Sequence, residues 1–549
     1  MKLALLVLVQ ILLATVASAQ AGESRIFLIS DTHSAYDQFE PFLKGLSARV
    51  REFRQRAANG DVLVLVNGDI AGTGLYAERD HGELDYRLVE TLANEYPTAL
   101  ALGNHEGFDF NHVGKPHQVF LKQHRRYLNR TGQSVLTANL FPEKKYRRIF
   151  APYQEHRLGG KRVRVVGISL ETFFQETAYS QTGARIFKTE APRKYLDTMK
   201  EQSVLAANDG VESVVFLIHD GAARLTPIVE EYLNWKRSDD RVQKLLVPLV
   251  ASGHMHQVID SELHGTRVVE AGSDLAFSEI QLDDNGKVSL VHHWDRRSSD
   301  QWLQQPTEPL LPEAFTELYK EANAIVDSVN AENVEILAPP LWEDRGFVLN
   351  REEHRRMRVG RVLADTLRNW ALKFYSEKEV GRKISDVVGL YNYLSYGWGS
   401  KIDALFEGPV TVGNLKSVVH FRGRLGARLL KGADFLELVA AMRDYGAQSS
   451  RPFPNPVLSS NVVERDRRFL ITDLNGTVRV VDPNGFYLVV TDHYTGMNGY
   501  KIPEIDGIYQ RAEWTLNDAP VNTEVLLPGL ARLRLSEDSC AGVLSNFRK

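Results

Sequence analysis

Residues 25–33 read RIFLISDTH, an apolar run that ends directly in the polar cluster Asp31-Thr32-His33. Four further apolar runs end in the same way: VLVLVN before Gly68-Asp69, TALAL before Gly103-Asn-His-Glu106, SVVFLI before His219-Asp220, and PLVAS before Gly253-His-Met-His256. Short runs rich in Leu and β-branched residues are typical of buried strands. Open α/β sheets bind ligands beyond the carboxyl ends of their strands, so the five clusters are predicted to meet at one such edge.

The clusters together offer Asp, His and Asn side chains, which are oxygen and nitrogen ligands suited to divalent metals. Each cluster alone is weak evidence. A Gly-Asp pair is usually a turn, Asn104 can cap a helix, and His219 can be an ordinary core histidine. Seven ligands are about what two adjacent ions need when one carboxylate bridges them. The joint occurrence in order therefore favours a dinuclear metal hydrolase.

The ordered set DTH, NGD, GNHE, IHDG and GHMH resembles the calcineurin-type metallophosphoesterases, and within them the bacterial secreted 5′-nucleotidases. The resemblance implies an α/β chain: an N-terminal four-layer α/β/β/α sandwich and a smaller C-terminal α+β domain that binds the substrate. It implies hydrolysis of nucleotides by attack of a metal-bound hydroxide on phosphorus. It assigns one ion to Asp31, His33, Asp69 and His256, and a second ion to Asp69, Asn104, His219 and His254.

The ligand types and the compartment narrow the choice of metal without fixing its identity. A nitrogen and oxygen set without thiolates suits Zn, Mn, Fe or Co, and availability in the periplasm favours Zn or Mn.

His105 is the predicted catalytic side chain outside the ligand set. By resemblance it contacts the phosphoryl group and protonates the leaving oxygen, and Asp109 orients its ring. The family pattern is GNHEFD, whereas this chain reads GNHEGFD, so Gly107 moves Asp109 one position later. Glu106, between them, is predicted to be a solvated loop acid.

The C-terminal half carries a looser resemblance, which places substrate-binding side chains at Arg358, Asn392, Phe421, Tyr494 and Asn498. The family's GGGIR is replaced here by YLSYGW, and its GGDG by GMNG. These departures leave other substrates open, namely a cyclic nucleotide, a nucleotide sugar or a sulfur ester. A non-catalytic binding protein on this fold is the remaining alternative.

The 549 residues predict two domains, because one ordinary core does not extend over such a length. We place the catalytic domain at 20–297, a linker with a helix at 298–337, and the C-terminal domain at 338–549. Helical periodicity predicts helices over 84–94, 117–129, 193–207, 312–329 and 352–375, and Asp284-Asn-Gly286 predicts a hairpin turn. A net charge of −4 argues against a nucleic acid polymer as partner. A monomer acting on a small phosphate ester is expected.

The N-terminus has the pattern of a secretory signal. Lys2 precedes an apolar stretch over 3–16, and Ala17-Ser-Ala19 offers a cleavage site before Gln20. A membrane anchor is the alternative, but the stretch is short for a bilayer. The single cysteine, Cys540, excludes an intrachain disulfide. We expect a periplasmic or secreted bacterial protein that is not attached to the membrane after cleavage.

Overall fold

The computed structural model describes the chain in segments, and every structural statement below concerns these residues: 23–57, 60–71, 76–106, 116–141, 150–171, 192–273, 275–283, 285–294, 311–330, 351–376, 380–391, 425–448, 456–465, 468–473, 476–492 and 503–516. The chain divides into two compact units, Met1–Val326 and Asp327–Lys549. The predicted domain limits near residues 297 and 338 lie outside the described segments and stay predictions.

The first unit alternates strands and helices before it ends in antiparallel strands and a further helix. Its strands are, in chain order, β1 Ser24–Ile29, β2 Asp61–Asn67, β3 Thr98–Ala101, β4 Tyr153–Leu158, β5 Lys161–Ile168, β6 Ser213–Ile218, β7 Leu246–Ser252, β8 Val258–Leu263, β9 Thr266–Ala271, β10 Phe277–Leu282 and β11 Val288–Trp294. Its helices are α1 Phe39–Arg56, α2 Ala77–Asp80, α3 Glu83–Glu95, α4 Pro116–Thr131, α5 Tyr195–Asn208, α6 Ala222–Ser238 and α7 Glu313–Asn330.

These strands form two sheets, with the orders β11-β10-β1-β2-β3 and β4-β5-β6-β7-β9-β8. The sheets pack face to face, since Ile26 and Leu65 of the first share one buried apolar cluster with Val165, Leu217 and Ala251 of the second. Burial of these aliphatic faces is the main force that holds the two sheets together.

Helices cover the outer face of each sheet. Phe42 and Leu46 of α1 belong to the core on the first sheet, and Met199 of α5 and Leu225 of α6 belong to the core on the second. The four layers are therefore α/β/β/α, which confirms the predicted fold of the first domain. Phe315 of α7 is fully buried in the same core as α1, so the helix predicted to lie in the linker packs on this unit.

The five apolar runs quoted above are β1, β2, β3, β6 and β7, as predicted. β1, β2 and β3 run parallel in the first sheet, and β6 and β7 run parallel in the second. Parallel strands end at a common edge, so the polar cluster after each strand lies at the same end of its sheet. The predicted hairpin is also present, as the antiparallel pair β10–β11.

The second unit has its own mixed sheet and helices. Its strands are β12 Asp386–Tyr391, β13 Leu425–Lys431, β14 Val457–Leu458, β15 Val462–Arg465, β16 Arg468–Thr472, β17 Val478–Val480, β18 Phe486–Asp492 and β19 Trp514–Leu516. Its helices are α8 Arg351–Phe374, α9 Gly432–Gln448 and α10 Pro503–Gln510. One sheet has the order β14-β12-β18-β13-β19, and β15-β16-β17 form a smaller one.

Helices cover both faces of the larger sheet in this unit. Leu367 of α8 packs on one face, while Leu438 of α9 and Ile508 of α10 pack on the other. β12 pairs parallel with β18, and β13 pairs antiparallel with it, so the sheet is mixed. This confirms the prediction of a smaller α+β second domain. No helix in the described segments is long and apolar enough to cross a membrane.

Candidate metal centre

All seven predicted ligands lie in the loops that follow the five strands. Asp31 and His33 come after β1, and Asp69 comes after β2. The remaining ligands follow β3, β6 and β7, and they are Asn104, His219, His254 and His256. Six of the seven are buried, whereas His254 is partly buried. The fold therefore gathers polar side chains from both sheets into one cluster.

A first group consists of Asp31, His33 and His256, whose ligand atoms lie within 4.8 Å of one another. The Nε2 atoms of His33 and His256 are 2.9 Å apart. Asp31 Oδ1 is 3.5 Å from His256 Nε2 and 3.9 Å from His33 Nε2. Two imidazoles and a carboxylate that converge in this way suit a divalent transition metal.

A second group consists of Asp69, His219 and His254, with Asn104 beside them. His219 Nε2 is 2.9 Å from Asp69 Oδ2, and Asn104 Oδ1 lies 3.2 Å from His219 Nε2 and 3.0 Å from His254 Nδ1. The two groups are adjacent, since His219 Nε2 is also 3.9 Å from Asp31 Oδ1. The structure thus brings together the four residues of the second predicted ligand set.

The donor set fits a cation. His219 Nδ1 is 2.6 Å from the carbonyl oxygen of Asn67, which can only accept, so Nδ1 carries the proton. Nε2 of a neutral ring then directs a lone pair toward the oxygens of Asp69 and Asn104. Such a convergence of acceptors in a buried place is costly unless a proton or a cation lies between them. A divalent ion would accept lone pairs from all three atoms, namely His219 Nε2 and the oxygens of Asp69 and Asn104.

The electrostatics of the cluster also favour a bound cation. Burial alone would lower the pKa of His219, but Asp69 and then Asp31 outweigh burial and raise it to about 10. Burial opposes the charged form of Asp69, yet His219 and His105 hold the pKa of its carboxyl well below the usual range. The site therefore stabilises a positive charge at the position where a metal ion would replace the His219 proton.

The ligand backbones are strained. Asp31, His33, Asp69, His254 and His256 have φ of 53°, 45°, 50°, 74° and 57°. A left-handed conformation costs a non-glycine residue about 1–3 kcal/mol and persists only when surrounding contacts over-determine it. Some of these contacts join the loops to one another, because Asp31 N donates to Gly68 O at 3.1 Å and His33 N donates to Asp69 O at 3.0 Å.

Comparison with known proteins identifies the family of this region. Residues 24–258 match the family model of the calcineurin-like phosphoesterases, a range that contains all seven ligands. This part of the chain is similar to the calcineurin-like phosphoesterases. The match confirms the resemblance seen in the five sequence clusters.

The chain is also similar to 5′-nucleotidases, in part of its sequence and in its fold. A stretch of 148 residues is 30% identical to a 5′-nucleotidase of Vibrio parahaemolyticus, and it covers 26% of this chain and 24% of that protein. The chain thus matches about a quarter of that relative's length. A 5′-nucleotidase precursor of Thermus thermophilus superposes with a TM-score of 0.59 at 18% identity, covering 93% of this chain and 97% of its own.

The fold is also similar to that of a sulfate thiohydrolase from Thermus thermophilus. Its TM-score is 0.55 at 16% identity, and the comparison covers 93% of this chain and 94% of that one. At such identities the two superpositions establish a common two-domain fold and do not discriminate between the substrates of these enzymes.

His105 lies beside the ligands of the calcineurin-like domain. Its backbone N–H donates to Asp69 Oδ1 at 2.8 Å, and its Nε2 is 3.8 Å from Asp69 Oδ2. The ring meets the ring of His33 edge to face at 4.9 Å, and 22% of its side chain is exposed. It therefore lies within the cluster and is accessible to solvent. Asp109 lies outside the described residues, so its pairing with His105 stays a prediction.

The prediction that Glu106 is a solvated loop acid is wrong. The residue is 1% exposed, and its two carboxylate oxygens accept from Ile70 N at 2.6 Å and from Gly103 N at 2.5 Å. Burial and the neighbouring Asp69 raise the pKa of Glu106 to about 7. The side chain ties the loop after β2 to the loop after β3, which local sequence could not reveal.

Asn67 is a further residue that contacts the predicted site, and the sequence analysis assigned it no role. Its Nδ2 donates to Ile218 O at 3.2 Å and to Ala251 O at 3.3 Å, and its own carbonyl accepts from His219. β2 is thereby joined to β6 and β7 of the other sheet directly beneath the ligands. The sequence signals were a polar residue at the end of an otherwise apolar strand and its place as the first residue of the NGD motif, to which the sequence analysis gave no role.

The predicted substrate-binding side chains are not placed by the structure. Arg358 lies on α8, but its side chain is outside what the structure describes. The other positions lie outside the described residues, and they are Asn392, Phe421, Tyr494 and Asn498. All five stay predictions.

Gly103→Ala is expected to weaken metal binding more than about tenfold without unfolding the protein. An added Cβ would collide with the carboxylate and the backbone nitrogen of Asp69 and lie 2.8 Å from Glu106 Oε2, so the loop that carries Asp69 must move. Metal affinity measured by competition with a chelating indicator checks this. Gly45→Ala is the matched control, since its Cβ would meet only Phe277, at 3.8 Å. Equal affinity in the two variants would contradict the prediction.

Proposed function

We propose that the protein is a secreted, metal-dependent phosphoesterase of the 5′-nucleotidase type, with two divalent ions, Zn or Mn, as cofactors. The observation that carries the proposal is the convergence of seven nitrogen and oxygen ligands into two adjacent groups within a calcineurin-like domain. When bound, such a pair of ions activates water and neutralises phosphoryl charge. The protein acts as a monomer on a small molecule.

The residues of this chain then have distinct tasks. Asp69 Oδ2 is 2.9 Å from His219 Nε2, and Asp69 also has a carboxylate oxygen within 4.8 Å of ring nitrogens of His33 and His105. This position between the two groups supports a carboxylate that bridges two ions. His105 is next to the ligands but partly exposed, a position from which its Nε2 can bind the phosphoryl group and give a proton to the leaving oxygen. Asp109 is proposed to orient that ring.

Nucleotides are the proposed substrates. The matching stretch of a curated 5′-nucleotidase and the shared two-domain fold support this. Substrate contacts are proposed at Arg358, Asn392, Phe421, Tyr494 and Asn498 of the second unit. Aromatic side chains on both faces of a base would contribute about 1–3 kcal/mol per contact.

A sulfur ester is the second candidate substrate. The fold of the sulfate thiohydrolase superposes on this chain about as well as that of the 5′-nucleotidase, at TM-scores of 0.55 and 0.59. The replacement of a family arginine segment by residues 393–398, YLSYGW, also removes a charge that would grip a nucleotide. The fold and the chemistry of the metal centre suit both substrates.

A substrate panel tests the proposal. Purified protein loaded with Zn or Mn would be assayed for phosphate release from AMP, an ADP-sugar, a cyclic nucleotide and p-nitrophenyl phosphate, and for sulfate release from an S-sulfonate (R–S–SO₃⁻), whose hydrolysis gives a thiol and sulfate. We expect AMP to be preferred, and a chelator to abolish turnover until metal is restored. Release of sulfate alone would make a sulfur ester, and not a nucleotide, the substrate. No turnover of any substrate with metal bound would overturn the enzyme assignment.

Export of the chain is part of the proposal. We expect the mature protein to begin at Gln20 and to be recovered from the periplasm or the medium of a bacterial host, because Ala17-Ser-Ala19 presents small residues at the cleavage site. N-terminal sequencing of the fractionated protein measures this. Ala19→Arg should retain the uncleaved leader. A wild-type chain that keeps Met1 and stays in the cytoplasm would contradict export.

A further inference from the structure

We propose that Glu270 is a positioning residue that holds together the loops bearing His219, His254 and His256. The inference rests on the proposed metal centre. Glu270 is the fifth residue of β9 and belongs to none of the five sequence clusters. It is completely buried, although a buried carboxylate is costly unless it is well bonded.

The carboxylate of Glu270 bonds two separate loops. Oε1 accepts from Gln257 N at 2.9 Å, and Gln257 directly follows His256. Oε2 accepts from Ala222 N at 3.4 Å, and Ala222 is the first residue of α6, three residues after His219. One side chain therefore spans the loop after β7 and the loop after β6.

Both partners are backbone N–H groups, so the position requires two acceptor atoms. A carboxylate offers them, whereas a glutamine would direct its NH₂ group at one of the two donors. The amino end of α6 also carries partial positive charge, which favours an anion there. Charge and geometry at this position are thus specific for a carboxylate.

One of the two loops that Glu270 joins, the loop after β7, has a strained backbone. His254 and His256 have φ of 74° and 57°, and such conformations persist only when neighbouring contacts fix them. Gly253 N donates to Asp220 O at 3.1 Å, which is a second link between the same two loops. Without the Glu270 link the histidine nitrogens are free to relax away from the geometry that a metal needs. Outer contacts of this kind typically change metal affinity about 10–100-fold.

The test compares Glu270→Gln with Glu262→Gln, a matched control on β8 whose side chain is 57% exposed. Zinc affinity would be measured by competition with a chelating indicator. The buffer is held above the pKa of about 8, to which burial and Asp31 raise the Glu270 carboxyl, so that a carboxylate is compared with an amide. We expect affinity to fall about 10–100-fold in Glu270→Gln and to stay unchanged in Glu262→Gln. Circular dichroism verifies that both variants are folded.

Glu270→Asp covers the case in which the glutamine variant does not fold. It keeps the charge but is one methylene too short to reach both loops, and we expect weaker zinc binding with an intact fold. Wild-type affinity in a folded Glu270 variant would overturn the inference while leaving the proposed function standing. A wild-type protein that binds no metal would overturn the proposed function, and this inference with it.

Discussion

Asp69→Asn is expected to lose its bound metal and at least about 1,000-fold of phosphoesterase kcat/KM. The Oδ2 atom of Asp69 is 2.9 Å from His219 Nε2 and 3.8 Å from His105 Nε2, so the carboxylate lies where the ligand sets meet. An amide has one acceptor oxygen and no charge, and it cannot bridge two cations. A loss of about 4 kcal/mol of transition-state stabilisation corresponds to this factor.

Metal content by mass spectrometry and kcat/KM on the same preparation measure this prediction. Asp240→Asn is a suitable control, because it makes the same chemical change at an exposed position. Asp69→Asn protein that keeps its full metal content and acts within tenfold of the wild type would exclude a bridging role for this carboxylate.

His105→Asn is expected to lower kcat about 100- to 10,000-fold while the metal stays bound, because the lost group is a proton donor rather than a predicted ligand. The loss should depend on the leaving group. p-Nitrophenolate departs without a proton, whereas the alkoxide of a nucleotide ester needs one. We therefore expect a smaller loss with p-nitrophenyl phosphate than with AMP.

The matched control for this variant is His264→Asn. His264 is exposed in the β8–β9 turn with a φ of 51°, and asparagine suits such a left-handed position before Gly265. Its activity should be unchanged. An equal loss on both substrates would refute the proton-donor role. Loss of metal would instead make His105 a ligand, as its place within 4.8 Å of His33 and Asp69 permits.

Local sequence specifies five strands of this protein and predicts its metal ligands. Each of the five clusters directly follows its apolar run, so a strand and the predicted ligand after it lie within about ten consecutive residues. Parallel pairing then brings the carboxyl ends together by a general rule of α/β folds. This rule predicts that Asp31 and Asp69 lie at one edge of the first sheet, whereas His219 follows β6 of the second sheet and meets them only because the two sheets pack.

The residues that hold that site in place are selected by tertiary packing. Glu106 reads as a surface acid and Glu270 as an ordinary strand residue, yet both are buried and each bonds two loops. Each has one partner that is distant in sequence, since Glu106 is 36 residues from Ile70 and Glu270 is 48 residues from Ala222. No periodicity or local motif predicts a hydrogen bond between such distant loops, because the bond forms only when the tertiary structure brings the loops together.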